Sequence, residues 1–149
     1  MRTALSLVVI CLSVAGLSAG GRDLSRDEAM GGHTLARHVG LTDAQLRDRL
    51  AEEPGISAAS TYTDRATAER VVGDALEYLS ARVAQWAARR GSRPNLSLHY
   101  HDRSTEPVGR SLERGDTRPR PCSDAVVVLR WDDRRGEYFI LTSYPESRR

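Results

Sequence analysis

Two short segments carry the side chains best suited to chemistry. Gly31-Gly32-His33-Thr34-Leu35-Ala36-Arg37-His38-Val39-Gly40 supplies two imidazoles and an arginine. Ile140-Leu141-Thr142-Ser143-Tyr144-Pro145, near the other end of the chain, supplies a hydroxyl and a phenol two residues apart. A fold that joins them puts a proton acceptor, a fixed cation and hydroxyl donors in one cleft. That set can cleave a phosphodiester by proton transfer without a metal.

His33 and His38 are five residues apart. On one continuous helix they diverge by ~140°, at ~100° per residue, so one is expected to be catalytic and the other structural. The spacing is not that of a zinc helix: HExxH needs four residues and an intervening glutamate. Thr142 and Tyr144 alternate on a strand and share a face, together with Tyr138 and Ile140. Phe139 and Leu141 make the opposite face apolar, so the strand is expected to be covered on both sides. β-Propensity alone would also account for Thr142 and Tyr144. Arg49 is by default a surface arginine, and it joins the site only if it meets His38 across the turn at residues 40–42. His99 and His101 share a strand face. With Asp102 they offer an alternative, metal-dependent site, against the plain reading of exposed strand residues. Trp86 reads as core, and Trp131 as core or as a platform for base stacking.

The elements that must position these groups follow from local signals. Residues 21–30 are polar and read as a loose leader. Leu35 and Val39 lie four apart, giving a short helix over 32–39. Thr42-Asp43-Ala44-Gln45 is a capping box opening a helix to about Glu53, with Leu46 and Leu50 inward and Pro54-Gly55 as the stop. A short strand is expected at 58–62. Asp64 caps a long helix over 65–90, whose Val71, Val72, Ala75, Leu76, Leu79, Val83 and Trp86 follow a period near 3.6. Arg89-Arg90-Gly91 closes it. The remainder reads as sheet: a strand at 95–101, a partner for it at 108–112, a loop at 113–123, a central strand at 125–131, a turn at 132–136 and a last strand at 137–144. Helices first and strands later argue for an α+β fold.

Residues 1–20 combine a basic start, an apolar run and a small-residue end, Ser18-Ala19-Gly20, and read as a secretory signal peptide. The apolar run is shorter than the ~20 residues a membrane span requires, so a secreted chain with no stable membrane association is expected. About 130 residues then remain, enough for one domain, residues 31–149, behind the leader. Cys11 leaves with the signal peptide, so Cys122 stays alone and no internal disulfide is available. All 22 basic residues are arginine, and the formal net charge is +2. That balance lacks the strong excess of a duplex-binding protein.

Taken in order, these segments resemble a known family. Gly-Gly-His-Thr at 31–34, Arg-His-Val-Gly at 37–40 and Thr-Asp-Ala-Gln-Leu-Arg-Asp-Arg-Leu at 42–50 are similar to the ribonuclease-A-like toxin domain at the C-terminus of bacterial contact-dependent inhibition (CdiA) proteins. So are residues 58–64 followed by Ala66-Thr67-Ala68-Glu69, Val108-Gly109-Arg110, and Leu129-Arg130 with Leu141-Thr142-Ser143-Tyr144-Pro145. The resemblance spans about residues 30–145. It implies a ribonuclease-A-like α+β fold, N-terminal helices packed on a twisted antiparallel sheet, without disulfides. It implies an active site of histidine, arginine, threonine and tyrosine, falling on His38, Arg49, Thr142 and Tyr144, with His33 as the competing histidine.

The chemistry implied is metal-independent endonucleolytic cleavage of RNA, tRNA among the candidate substrates, by attack of the ribose 2′-OH to give a 2′,3′-cyclic phosphate. No cofactor is implied. The implied partners are RNA and a cognate immunity protein, and the implied state is a monomer. A catalytically inactive module binding RNA or protein is the alternative. Two features depart from the pattern. No second histidine lies near Thr142 to act as acid, and an ordinary tyrosine, with a pKa of about 10, is a poor one; His33 would then have to enter the site. The family domain normally ends a very large surface protein, whereas here it follows its own signal peptide.

Overall fold

A computed structural model describes residues 21–147; the signal-peptide reading falls on residues outside them. The described chain runs α1 (Leu24–Ala29), α2 (Thr34–His38), α3 (Asp43–Glu52), β1 (Ala58–Tyr62), α4 (Arg65–Tyr78), α5 (Ser80–Ala87), β2 (Leu96–His101), β3 (Gly109–Glu113), β4 (Arg120–Cys122), β5 (Asp124–Asp132) and β6 (Glu137–Glu146). Apart from β1, which stands between α3 and α4, the helices precede the strands, giving the α+β architecture expected.

The local signals act as read. Thr42 caps α3 and Gln45 reaches back to it, completing the capping box. Asp64 caps α4 by accepting from the Thr67 N–H at 2.7 Å. The helix expected over 65–90 is divided at Leu79, where φ is −104° and ψ 20°. A straight helix of that length would extend about 39 Å, beyond the strands beneath it. The break lets Val83 and Trp86 of α5 join Val71, Val72 and Ala75 of α4 in one core.

The loose leader expected at 21–30 is instead α1, packed against the body of the domain. Leu24 is fully buried, and Asp27 nearly so. Asp27 Oδ1 accepts from the Ile140 N–H of β6 at 2.8 Å and pairs with Arg22 at 2.7 Å. The polar residues that suggested a solvated leader are spent on internal bonds.

The six strands form two antiparallel sheets, β1-β3-β4 and β2-β5-β6. β5 is central in the second, as its apolar run predicted. β3, expected beside β2, pairs with β1 through Ser60 opposite Ser111, and with β4, which lies in the segment expected to be a loop. A Cβ on Gly109 would run into the Thr61 carbonyl and Pro145, so only glycine allows the first sheet to approach β6 there. Cys122 is buried in β4 rather than in an open loop, and burial pushes its thiol up to about 11. The main core fills the space between α4, α5 and the second sheet, and a smaller one, Leu46, Leu50, Ala59 and Leu112, seats α3 on the first sheet.

β6 carries a bulge. Val128 pairs with Thr142 and Leu129 with Ile140, leaving Leu141 unpaired. The extra residue reverses the alternation. Tyr138 and Ile140 share a face with Ser143 and Pro145, opposite Trp131, Leu129, Val127 and Ala125. Thr142 and Tyr144 share the other face with Phe139. The expectation that Thr142 and Tyr144 lie with Tyr138 and Ile140 is corrected by this one inserted residue.

Candidate active site

α2 packs against β6 and β1, and a cleft of about 870 Å³ opens between them. His33, His38, Arg49, Thr142 and Tyr144 all line it.

His38, the last residue of α2, is buried. Its Nδ1 lies 3.2 Å from the Ser60 carbonyl of β1. A carbonyl only accepts, so Nδ1 carries the proton and Nε2 is left as the basic atom. Burial dominates the imidazole's titration and lowers its pKa to about 4; the bond to Ser60 opposes this, and the positive charges of Arg49, His33 and Arg37 reinforce it. His38 is therefore held neutral and base-ready across the physiological range.

Arg49 comes from the third turn of α3 and meets His38 across the 40–42 turn. Its Nη1 stands 3.5 Å from His38 Nδ1 and donates to the Arg37 carbonyl at 3.1 Å. Its Nε donates to Glu53 at 3.1 Å. These bonds at two edges of the guanidinium fix its plane, and its side chain is only 17% exposed.

β6 closes the cleft. The Tyr144 ring lies 5.4 Å from the His38 ring, tilted by 35°. Burial, then the Glu146 carboxylate, push the Tyr144 phenol above its ordinary value. Thr142 Oγ1 is buried and makes no hydrogen bond. A shielded hydroxyl without a partner costs free energy unless something binds it.

His33 also enters the cleft, against the expectation that the two histidines diverge. It precedes α2 as its N-cap, with φ −148° and ψ 27°, so the 100° helical step does not apply to it. Its backbone N–H donates to the carbonyl of the bulged Leu141 at 3.0 Å. Gly32 lies so close to the Ile140 and Asp27 carbonyls that a Cβ there would collide with them.

The alternative metal site is not assembled. His99 pairs with Glu146 at 3.2 Å and His101 with Asp124 at 3.0 Å. Asp102 is buried and turned to Arg70 at 2.9 Å. Among the described residues no group of three histidine, cysteine or acidic side chains is arranged as a ligand set. Trp86 is core. Trp131 packs edge-on to it and carries Arg93 over its ring at 4.2 Å, outside the cleft. Ser60 and Glu53, which orient the histidine and the arginine, gave no sequence signal. One acts through its backbone, and the other is one of many surface-type carboxylates.

Residues 32–145 match the family model described as the bacterial CdiA-CT RNAse A domain. Among solved structures, a chain in the crystal structure of a CdiA-CT/CdiI complex from Y. kristensenii 33638 is 32% identical, with a TM-score of 0.68. The likeness covers 78% of this chain and 100% of that one. No curated protein matches the chain.

Proposed function

This chain belongs to the bacterial CdiA-CT RNAse A domain family, and from that premise we propose that it is a metal-independent endoribonuclease toxin using His38, Arg49, Thr142 and Tyr144. The observation that carries the reading is the state of His38: neutral, with Nδ1 spent on Ser60, Nε2 left basic, and a fixed guanidinium 3.5 Å from Nδ1.

His38 Nε2 takes the proton of a ribose 2′-OH, and the 2′-oxygen attacks the adjacent phosphorus. Arg49 offsets the charge that builds on the phosphoryl oxygens, a role in which one preorganised donor contributes about 10²–10³ in rate. Thr142 Oγ1 gives its unspent hydrogen bond to a phosphate oxygen or to the base. Tyr144, packed on His38, positions the phosphate. The bond to the 5′-oxygen then breaks, leaving a 2′,3′-cyclic phosphate. The requirement for a 2′-OH confines the reaction to RNA.

The similar chain of known structure sits in a complex with CdiI. We extend this to an immunity partner for the present chain, one that covers the cleft and protects the producing cell. Residues 1–20 support export as the route to the target.

The test is incubation of total RNA and of DNA with purified protein in excess EDTA, beside a His38→Gln variant. RNA cleavage with 2′,3′-cyclic ends, absent in the variant, and intact DNA are the expected results. Folded protein that cleaves no RNA over a wide concentration range, or only once a divalent metal is restored, would overturn the reading.

A further inference from the structure

The cleavage proposed above leaves a proton to be supplied: as the bond from phosphorus to O5′ breaks, its electron pair stays on an alkoxide that must be protonated. Arg49 cannot supply it, because a guanidinium does not deprotonate in proteins. The Thr142 hydroxyl is far too weak an acid. Tyr144 is poorly suited on two counts. Burial and Glu146 hold its phenol more firmly protonated than usual, and its ring lies against His38, on the side of the base. In an in-line displacement the entering and leaving oxygens lie on opposite sides of phosphorus, so base and acid must be separated.

His33 is a cleft-lining group placed to meet this requirement. It stands at the N-terminal end of α2 and His38 at its C-terminal end. Both imidazoles reach the same cleft. His33 occupies the N-cap position, yet its side chain makes no capping bond. Its backbone is clamped instead: the N–H is bonded to the bulged Leu141, and Gly32 is pressed on the Ile140 and Asp27 carbonyls. The same bulge turns Thr142 and Tyr144 to this face. Imidazole is the side-chain type able to hold and release a proton near neutral pH.

We propose that His33 is the general acid, donating its proton to the departing O5′. The inference rests on the ribonuclease reading of the cleft. In the step, the N–H bond of the His33 imidazolium breaks and an O5′–H bond forms, while the P–O5′ electron pair goes to oxygen. His38 ends protonated and His33 neutral. Water attacking the cyclic phosphate would restore both by the reverse transfers.

The test compares two substrates sharing one nucleoside 3′-phosphate. One is a dinucleotide, whose alkoxide leaving group needs a proton; the other is the 4-nitrophenyl ester, whose phenolate leaves without one. His33→Ala is expected to lower kcat/KM about 10²–10³-fold on the dinucleotide and less than about threefold on the ester, within the usual contribution of a general acid. His38→Ala should impair both, and Tyr144→Phe should not show the leaving-group contrast. Circular dichroism and a His33→Gln variant guard against misfolding. Equal losses on both substrates, or no loss on either, would overturn the assignment of His33 while leaving the ribonuclease reading intact. A wild-type protein inert toward both substrates would remove that reading and the acid with it.

Discussion

Replacing His38 with glutamine should flatten the acid side of the stability profile. The buried imidazole has a pKa near 4 in the folded chain, against about 6.5 when unfolded. From pH 6.5 downwards the unfolded chain binds a proton that the folded chain refuses. Stability therefore falls with pH through that window and levels off below the folded value. At about 1.4 kcal/mol per unit, and allowing for partial titration at each end, the loss between pH 7 and pH 4.5 is about 2.5 kcal/mol. For a domain of this size that lowers Tm by roughly 10 °C. Asp64, Asp102 and Asp132 have depressed pKa values, so their losses begin below about pH 4 and stay outside the window. The glutamine amide cannot titrate. Urea denaturation at the two pH values should show the wild type losing about 2.5 kcal/mol more than His38→Gln. Equal losses in both proteins would refute the account of a buried, neutral His38. The same group should place the acid limb of kcat/KM near pH 4, well below that of an ordinary histidine.

Arg49→Lys keeps the charge but loses the fork held by Glu53 and the Arg37 carbonyl. It should lower kcat about 10²-fold with KM changed only a few-fold, whereas a loss under tenfold would show that charge alone suffices. Asp27→Ala leaves the Ile140 N–H without its acceptor and Arg22 without its partner. It should cost about 3–5 kcal/mol in urea denaturation, and a cost under about 1 kcal/mol would mean that α1 is only loosely attached.

Much of the element plan was legible in the sequence because its signals are local. The Thr42–Gln45 box, the Asp64 cap and the apolar stripe from Val71 to Trp86 act within a turn or two of helix. The apolar start of β5 marked it as central. The candidate residues were legible as a set, and the structure brings all five to one cleft. Four features of the element plan were not legible. Residues 21–30 looked like a leader because polarity suggests solvent, and nothing local shows that Asp27 meets a strand N–H far along the chain. Alternation marks β3 as a strand but not its partner, so its pairing with β1 rather than β2 has no local signal. The helix break at Leu79 leaves the hydrophobic period nearly unchanged. The polar segment at 113–123 hid a three-residue edge strand.

The sequence by itself determined most of the helices and strands, α1 and β4 excepted, and which side chains are of a type suited to the chemistry. Tertiary structure decided where those side chains point. A single unpaired residue, Leu141, sets the face of Thr142 and Tyr144, and its carbonyl anchors His33 beside them. The carbonyl of Ser60 on a distant strand fixes the His38 tautomer, and burial between α2, β1 and β6 keeps that imidazole neutral. Strand periodicity repeats every two residues, so a one-residue offset in pairing reverses every side chain beyond it. That offset is set by contacts between segments remote in the chain, which no local pattern of residues encodes.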